Sequence, residues 1–347
     1  MAEKLEMTGN PEGPGSKEWL DGRLVQLPIS MAPPLRFVNS YLLREPKSGG
    51  VTIIDPGPRS DITKQEWKRI RERFGIGPQQ VKQIIVTHHH PDHFGMAGWL
   101  QQQFGAPVLM SEEAHREALR MWQPDRSMNR ALPELFRQHG FPEPLVRQLP
   151  EHLESFYQQV EPMPEVTYID ESRQLEMGGW LWQPVLTGGH ATGHLSFYQA
   201  EERMMLCGDA VLPQISPNIS FYPGGDEQPL QTFMDGLRKL GQFEVNTAFP
   251  GHRHPFDSFH SRVQQLLDHH EERLAKVAGL LKQEGTQTGF KICEALFGMR
   301  PGIHQMRFAM SETLAHLALL VHRNEAEMEL GERGLYQFSS RKAARIY

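Results

Sequence analysis

The chain has little cysteine. Cys207 and Cys293 are its only 2, far apart and outside any CxxC, so neither a disulfide framework nor a cysteine-based zinc knuckle can form. It also lacks long apolar runs: none approaches the ~18 residues of a membrane span, and residues 1–17 carry glycine, proline and acidic groups without the apolar core of a secretion signal. A flexible tail over residues 1–18 and a cytoplasmic location with no membrane contact are therefore expected. Positive charge is not in excess either. With 36 Lys plus Arg against 42 Asp plus Glu, the net charge of −6 excludes a protein whose main surface binds nucleic acid or anionic lipid. What remains is ordinary globular composition over 347 residues, enough for about two domains and a sizeable core.

Against that background one stretch is chemically loaded: Val86-Thr87-His88-His89-His90-Pro91-Asp92-His93 packs histidine and aspartate side by side. Residues 81–86, with Ile84 and Ile85 at the centre, are β-branched and follow Gly77-Pro78, which predicts a buried strand. The histidines then fall on the loop at a strand's carboxyl end, where functional groups of α/β structures gather. Selecting His88, His90, Asp92 and His93 gives His-x-His-x-Asp-His. Imidazole and carboxylate at this density suit zinc, with iron and manganese as alternatives. His89 reads as an outward-facing loop residue.

Upstream, residues 24–27, 36–43 and 51–54 read as strands of antiparallel hairpins, with Lys47-Ser48-Gly49-Gly50 as one turn. Ile62, Trp67, Ile70 and Phe74 then recur near helical spacing, predicting a helix over 62–74 laid on the sheet. A helix at 97–104 and a strand at 107–110 follow, an alternation typical of α/β layers. From 111 to 164 it stops. Helix formers broken by prolines predict a helical insertion there, either a peripheral packing subdomain or a lid that shapes a substrate pocket.

Strands resume at 166–169 and 181–186, and each later strand ends in a reactive turn. Gly189-His190 follows 181–186, Gly208-Asp209 follows 203–207, and Pro250-Gly251-His252 follows 246–249. Glycine beside each of these residues lets backbone approach a metal centre closely. Cys207 reads as packing. The loop 211–229 is expected at the mouth of the site, with Tyr222 as a candidate substrate contact weighed against packing of its own loop.

In order and completeness these motifs resemble the metallo-β-lactamase superfamily, over about residues 22–260. The resemblance implies an α/β fold, an αββα sandwich with a two-metal site along one edge. Carried over position by position, His88, His90 and His190 would hold one metal, Asp92, His93 and His252 a second, and Asp209 would bridge both. The cofactors implied are two divalent ions, zinc first, with iron or manganese as alternatives. A hydroxide shared by the two cations would attack a small ester, thioester, lactone or phosphoester. Asp92, the catalytic residue of this scheme, would orient it or pass a proton to the leaving group, and His194 would support the ligands through a hydrogen bond.

Beyond the last motif, helices at 263–281, 288–297 and 311–322 and a hairpin at 326–330 and 334–338 resemble the winged-helix domain appended to some of these hydrolases. The expected domains are thus 19–262 and 263–347. In residues 271–347 basic groups exceed acidic ones by only two, and the hairpin region carries Glu325, Glu327, Glu329 and Glu332. A wing of that sign repels phosphates, so packing or homo-oligomer contacts are expected and nucleic acid is not. The leading expectation is a dinuclear-metal-dependent hydrolase of a small molecule, with glyoxalase II-like thioester cleavage a good fit. A lactonase fits less well, because Leu212 stands where many have tyrosine, and the missing secretion signal disfavours a β-lactamase. The alternatives are an iron-dependent oxidoreductase of the persulfide dioxygenase or flavodiiron kind, and an endoribonuclease.

Overall fold

A computed structural model describes residues 15–122, 125–300, 302–331 and 333–341. Two sheets share one apolar layer. The first runs in the order Lys17–Trp19, Leu24–Ser30, Phe37–Arg44, Val51–Ile54, Val81–Ile85, Val108–Met110, Val166–Tyr168. Its early neighbours pair antiparallel and the last four strands run parallel. The second runs in the order Thr247–Pro250, Met204–Gly208, Leu195–Gln199, Trp180–Leu186, Leu175–Met177.

Side chains alternate across each strand with period two, and this alternation builds the layers. Tyr41, Leu43, Ile54 and Ile85 of the first sheet meet Trp182, Phe197, Leu206 and Phe249 of the second in one buried cluster. Their neighbours Val38, Leu42, Ile53, Ile84, Met205 and Cys207 face the other way, into a cluster shared with the helices. The result is the expected αββα sandwich, with Cys207 packed in it. Full burial of each such aliphatic or aromatic contributes roughly 1.5–3 kcal/mol.

The helix Asp61–Phe74 begins at a capping box, Ser60 Oγ accepting from the Thr63 N–H and Thr63 Oγ1 from the Ser60 N–H, and ends at Gly75 with φ of 63°. Trp67 lies fully buried under it and donates to the Pro56 carbonyl at 2.7 Å. Ile62, expected on the same face, is 58% exposed, because it sits in the first turn away from the sheet.

The sequence pattern does not predict Lys17–Trp19, Leu175–Met177 or Pro229–Leu240. Lys17–Trp19 pairs with Leu24–Gln26 instead of belonging to a tail, because Trp19 packs edge-on against Phe249 at 5.3 Å. The tail's residues 1–14 lie outside the described residues. Leu175–Met177 extends the second sheet, and Pro229–Leu240 forms a helix whose Leu230, Phe233, Met234 and Leu237 are buried.

The segment 111–164 folds as Glu112–Trp122, Met128–Gln138, Glu143–Val146 and Leu149–Tyr157, a helical insertion as expected. At the carboxyl end, Phe259–Glu284 leads to Gln287–Thr288, Gly289–Phe297, Ile303–His322 and a hairpin of Ala326–Leu330 with Tyr336–Ser340. Of the acidic groups expected near that hairpin, Glu332 lies outside the described residues. The Ile303–His322 helix starts eight positions earlier than the pattern predicted, and this first turn reaches the site described next. None of the described helices is long and apolar enough to cross a membrane.

Candidate metal centre

Four strand ends deliver the cluster. His88 and His90 follow Val81–Ile85, and Asp92 and His93 occupy the short helix Pro91–Phe94 directly after it. His190 lies on the turn between Trp180–Leu186 and Leu195–Gln199, Asp209 directly follows Met204–Gly208, and His252 follows Thr247–Pro250. All seven converge. Donor atoms of His88, His90 and His190 lie within 4.8 Å of one another, as do those of His88, His93 and Asp209 and those of Asp92, His93 and His252.

Hydrogen bonds on the far side of the rings decide which nitrogen faces inward. His93 Nδ1–H donates to Asp55 Oδ2 at 2.9 Å, His190 Nδ1–H to the Asn218 carbonyl at 2.9 Å, and His252 Nδ1–H to the Phe37 carbonyl at 3.0 Å. His88 Nδ1 meets Thr87 Oγ1 at 2.9 Å, and that hydroxyl donates to Asp55 Oδ2 at 2.8 Å, so His88 Nδ1 carries the proton. Each of these four rings therefore turns its Nε2 toward the centre.

Asp209 lies between the two groups. Its Oδ1 is 3.4 Å from His93 Nε2, and its Oδ2 is 3.5 Å from His190 Nε2 and 3.3 Å from His252 Nε2. Asp92 Oδ2 is 3.3 Å from His252 Nε2 and 3.8 Å from His93 Nε2. Tetrahedral zinc with bonds of ~2.0 Å needs donor atoms roughly 3.3 Å apart, so the spacing suits it. His93 Nε2, His190 Nε2 and Asp209 Oδ1 are buried and have no hydrogen-bond partner among the described residues. Buried polar atoms left unpaired are costly, and a cation among them removes the cost, so the donor set fits divalent ions.

The electrostatics point the same way. Burial alone lowers the His93 and His252 pKa values, but Asp209 with Asp55 and Asp92 outweighs it at His93, which is held well above its ordinary value. Asp209 with Asp92 does the same at His252, raised to about 10. His88 and His90 are pushed well below theirs by burial and by neighbouring imidazoles. Asp209 and Asp92 are lowered, because His252 and His93 override the effect of burial on both carboxylates. The carboxylate side of the cluster attracts positive charge, and the imidazole side offers neutral lone pairs.

Glycine is required where backbone crowds this cluster. A Cβ on Gly251 would lie 2.2 Å from Asp209 Oδ1 and 2.7 Å from His93 Cε1, and one on Gly208 would lie 2.4 Å from His194 Nε2. That His194 Nε2 accepts the Asp209 N–H at 3.0 Å, while its Nδ1 meets Thr187 Oγ1 at 3.0 Å. His194 thus anchors the backbone of Asp209 from behind.

Several positioning residues escaped the sequence reading. Asp55 accepts from the Thr87 N–H, the Thr87 hydroxyl and His93, and the sequence pattern alone assigns it no role. Its signal was there, a carboxylate directly after an apolar strand, as at Asp209. Asn39 Nδ2 donates to the Pro250 and Arg253 carbonyls and Tyr41 Oη to the Pro250 carbonyl, which ties the His252 turn to the first sheet. His89 does not face outward. It is 3% exposed, its carbonyl accepts from Trp122 Nε1 at 2.9 Å, and burial pushes its pKa down to about 4.

The cluster opens into a cavity of about 540 Å³ bordered by His90, Asp92, His190, Asp209 and His252. The other walls are largely apolar. Met31, Pro33 and Leu35 come from the first sheet's loop, Trp122 and Phe156 from the insertion, and Leu212, Ile215 and Tyr222 from the loop after Asp209. The insertion therefore lines the cavity, and Tyr222 borders it. The carboxyl-terminal helix adds His304, Arg307 and Phe308, a contribution the sequence reading did not foresee.

A profile described as "Metallo-beta-lactamase superfamily" matches residues 33–252, and one described as "Metallo-beta-lactamase-like, C-terminal domain" matches residues 274–341. The "Probable metallo-hydrolase YqjP" of Bacillus subtilis (strain 168) is 27% identical over 315 residues, 84% of this chain and 91% of that protein. The "Hydroxyacylglutathione hydrolase GloC" of Haemophilus influenzae is 25% identical over 202 residues, 58% of this chain and 80% of that protein. Among solved structures, a metallo-beta-lactamase family protein from Thermus thermophilus gives a TM-score of 0.81 at 32% identity, covering 92% of this chain and 99% of that one. A beta-lactamase domain protein from Burkholderia ambifaria gives 0.84 at 27% identity, covering 96% of each chain.

Proposed function

The chain belongs to the metallo-β-lactamase superfamily, and from that premise we propose that it is a two-cation hydrolase of small acyl thioesters and esters. The observation that carries this reading is the apolar cavity of about 540 Å³ opening directly onto the seven-residue cluster. A cavity of this size takes a small-molecule ligand, and its apolar walls suit an acyl chain.

His88, His90 and His190 would hold one ion and Asp92, His93 and His252 the other, with Asp209 between them. Divalent ions bound there supply Lewis acidity, bringing the pKa of water to ~7 and polarising an acyl oxygen. Zinc suits the mixed imidazole and carboxylate donors best. The chain's own groups do the rest. Asp55 and the Asn218 and Phe37 carbonyls hold the Nδ1 sides of His93, His190 and His252, so that these rings present Nε2 to the centre. Asp92, 21% exposed at its side chain and bordering the cavity, takes the proton released by the attacking water and hands it to the leaving group. Trp122, Phe156 and Phe308 exclude bulk water from the acyl chain.

The thioester preference is supported by relatives such as the hydroxyacylglutathione hydrolase of H. influenzae. We read residues 263–347 as a winged-helix-like packing domain whose first role is to close the cavity, since Arg307 and Phe308 form part of its wall. The test is hydrolysis of a panel of acyl thioesters and esters by the purified protein. Metal removal, His90→Ala and Asp209→Ala should each abolish turnover. Full activity in a metal-stripped sample would sink the reading.

A further inference from the structure

Arg307 is a buried cation with no anionic partner among the described residues. It is 5% exposed on the Ile303–His322 helix, it borders the cavity, and no carboxylate among the described residues comes within 4.0 Å of its guanidinium. Its one hydrogen bond among the described residues runs from Nη1 to Tyr222 Oη at 3.3 Å, and its Nε is buried with no partner. Aromatic faces hold it in place: the guanidinium carbon lies 4.3 Å from the Phe308 ring centroid and 5.4 Å from that of Phe156. His152 and His304 also border the cavity, and both are lowered to about 4, by burial first and then by Arg307, with Asp92 acting in the opposite sense on His304.

Burying a cation costs several kcal/mol unless an anion meets it, and cation–π contacts offset only part of that. A side chain that served packing alone would be better apolar among Phe156, Phe308 and Trp122. The planar guanidinium fork matches an oxyanion with two parallel hydrogen bonds, and the Tyr222 hydroxyl beside it supplies a further donor. The same cavity is bordered by His90, Asp92, His190, Asp209 and His252 of the cluster. We infer that the substrate carries an oxyanion, carboxylate or phosphate, at the end of an apolar segment, and that Arg307 is the specificity-determining residue that binds it.

This inference rests on the hydrolase reading only for what happens at the scissile bond, so its test has an arm without turnover. Binding of butyrate, n-butyl phosphate and n-butanol to the full-length protein is measured by ligand-observed NMR. In the wild type one of the two anions should bind about 10-fold to 100-fold more tightly than the alcohol, and whichever wins identifies the oxyanion. Arg307→Met keeps the stem between the rings and should bring that ratio to near unity. Arg307→Lys keeps the charge without the fork and should lower it several-fold, which carries the test if the Met variant does not fold. In a second arm, glutaryl and valeryl thioesters of one thiol are compared, with the preference for the anionic acyl group expected in KM and lost in the Met variant.

No anion preference in the wild type, or a preference that survives both substitutions, would overturn the inference. Anion preference that is lost on substitution, in a protein that cleaves no thioester, would instead leave the anion site standing and refute the hydrolase reading.

Discussion

Asp55→Asn isolates the electrostatics behind the ligands. Asp55 is 2% exposed and its φ is 50°, a conformation that aspartate and asparagine both tolerate, so the exchange leaves the backbone unstrained. Its Oδ1 accepts the Thr87 N–H at 2.8 Å, while its Oδ2 accepts from the Thr87 hydroxyl at 2.8 Å and His93 Nδ1 at 2.9 Å. An amide nitrogen in place of Oδ2 opposes the His93 Nδ1–H donor to donor. His93 must then move its proton to Nε2, directly at the cluster. Turning the amide over only transfers the clash to the Thr87 N–H. Loss of such an outer partner costs about 10-fold to 100-fold in metal affinity, which corresponds to ~1.4–2.8 kcal/mol. Chelator competition for zinc in wild type and variant measures this, with denaturant unfolding of both metal-free proteins as a control. Equal zinc affinity in the two would refute the claim that Asp55 sets the His93 tautomer.

Gly251→Ala should misplace the Asp209 carboxylate, because its Cβ would sit 2.2 Å from Oδ1; a shift of this order costs about 100-fold in turnover, read by kinetics alongside an unchanged circular dichroism spectrum. Glu312→Ala removes the partner of Arg273 and of Asn218 Nδ2, whose residue's carbonyl holds His190; discounting the exposure of Arg273, denaturant unfolding should show a loss of roughly 2–4 kcal/mol, and an unchanged midpoint would contradict the network. His270 and His316 are depressed by burial to about 2 and about 4, against ~6.5 in the unfolded chain. Their stabilising effect is complete above pH ~6.5 and is lost as the pH falls toward the folded values, by about 2 kcal/mol per group at pH 5. His270→Leu should flatten the slope of stability between pH 7 and pH 5, and an unaltered slope would exclude His270 as a source of it.

The ligand-type residues were legible in the sequence because each lies within a few positions of a strand end, and strand ends are readable from β-branched runs and glycine. The sandwich followed from the same alternation. Asp55, Asn39, Tyr41 and Asn218 were not legible as functional, because their partners lie across the fold: Asn39 reaches the carbonyls of Pro250 and Arg253, and Asn218 reaches Glu312. Arg307 escaped for a related reason. Position 307 lies before the helix that the pattern predicts at 311–322, and only the packing of Phe156 and Tyr222 against it turns it into a cavity wall. His89 failed in the opposite direction, because the Trp122 indole that covers its loop comes from the insertion.

The central claim is that seven residues form two cation sites sharing Asp209, and the metal content of purified protein tests it most directly. The account predicts two equivalents in the wild type, one in His190→Ala, one in His252→Ala, and fewer than two in Asp209→Ala. One equivalent in the wild type, or two retained in both histidine variants, would contradict it.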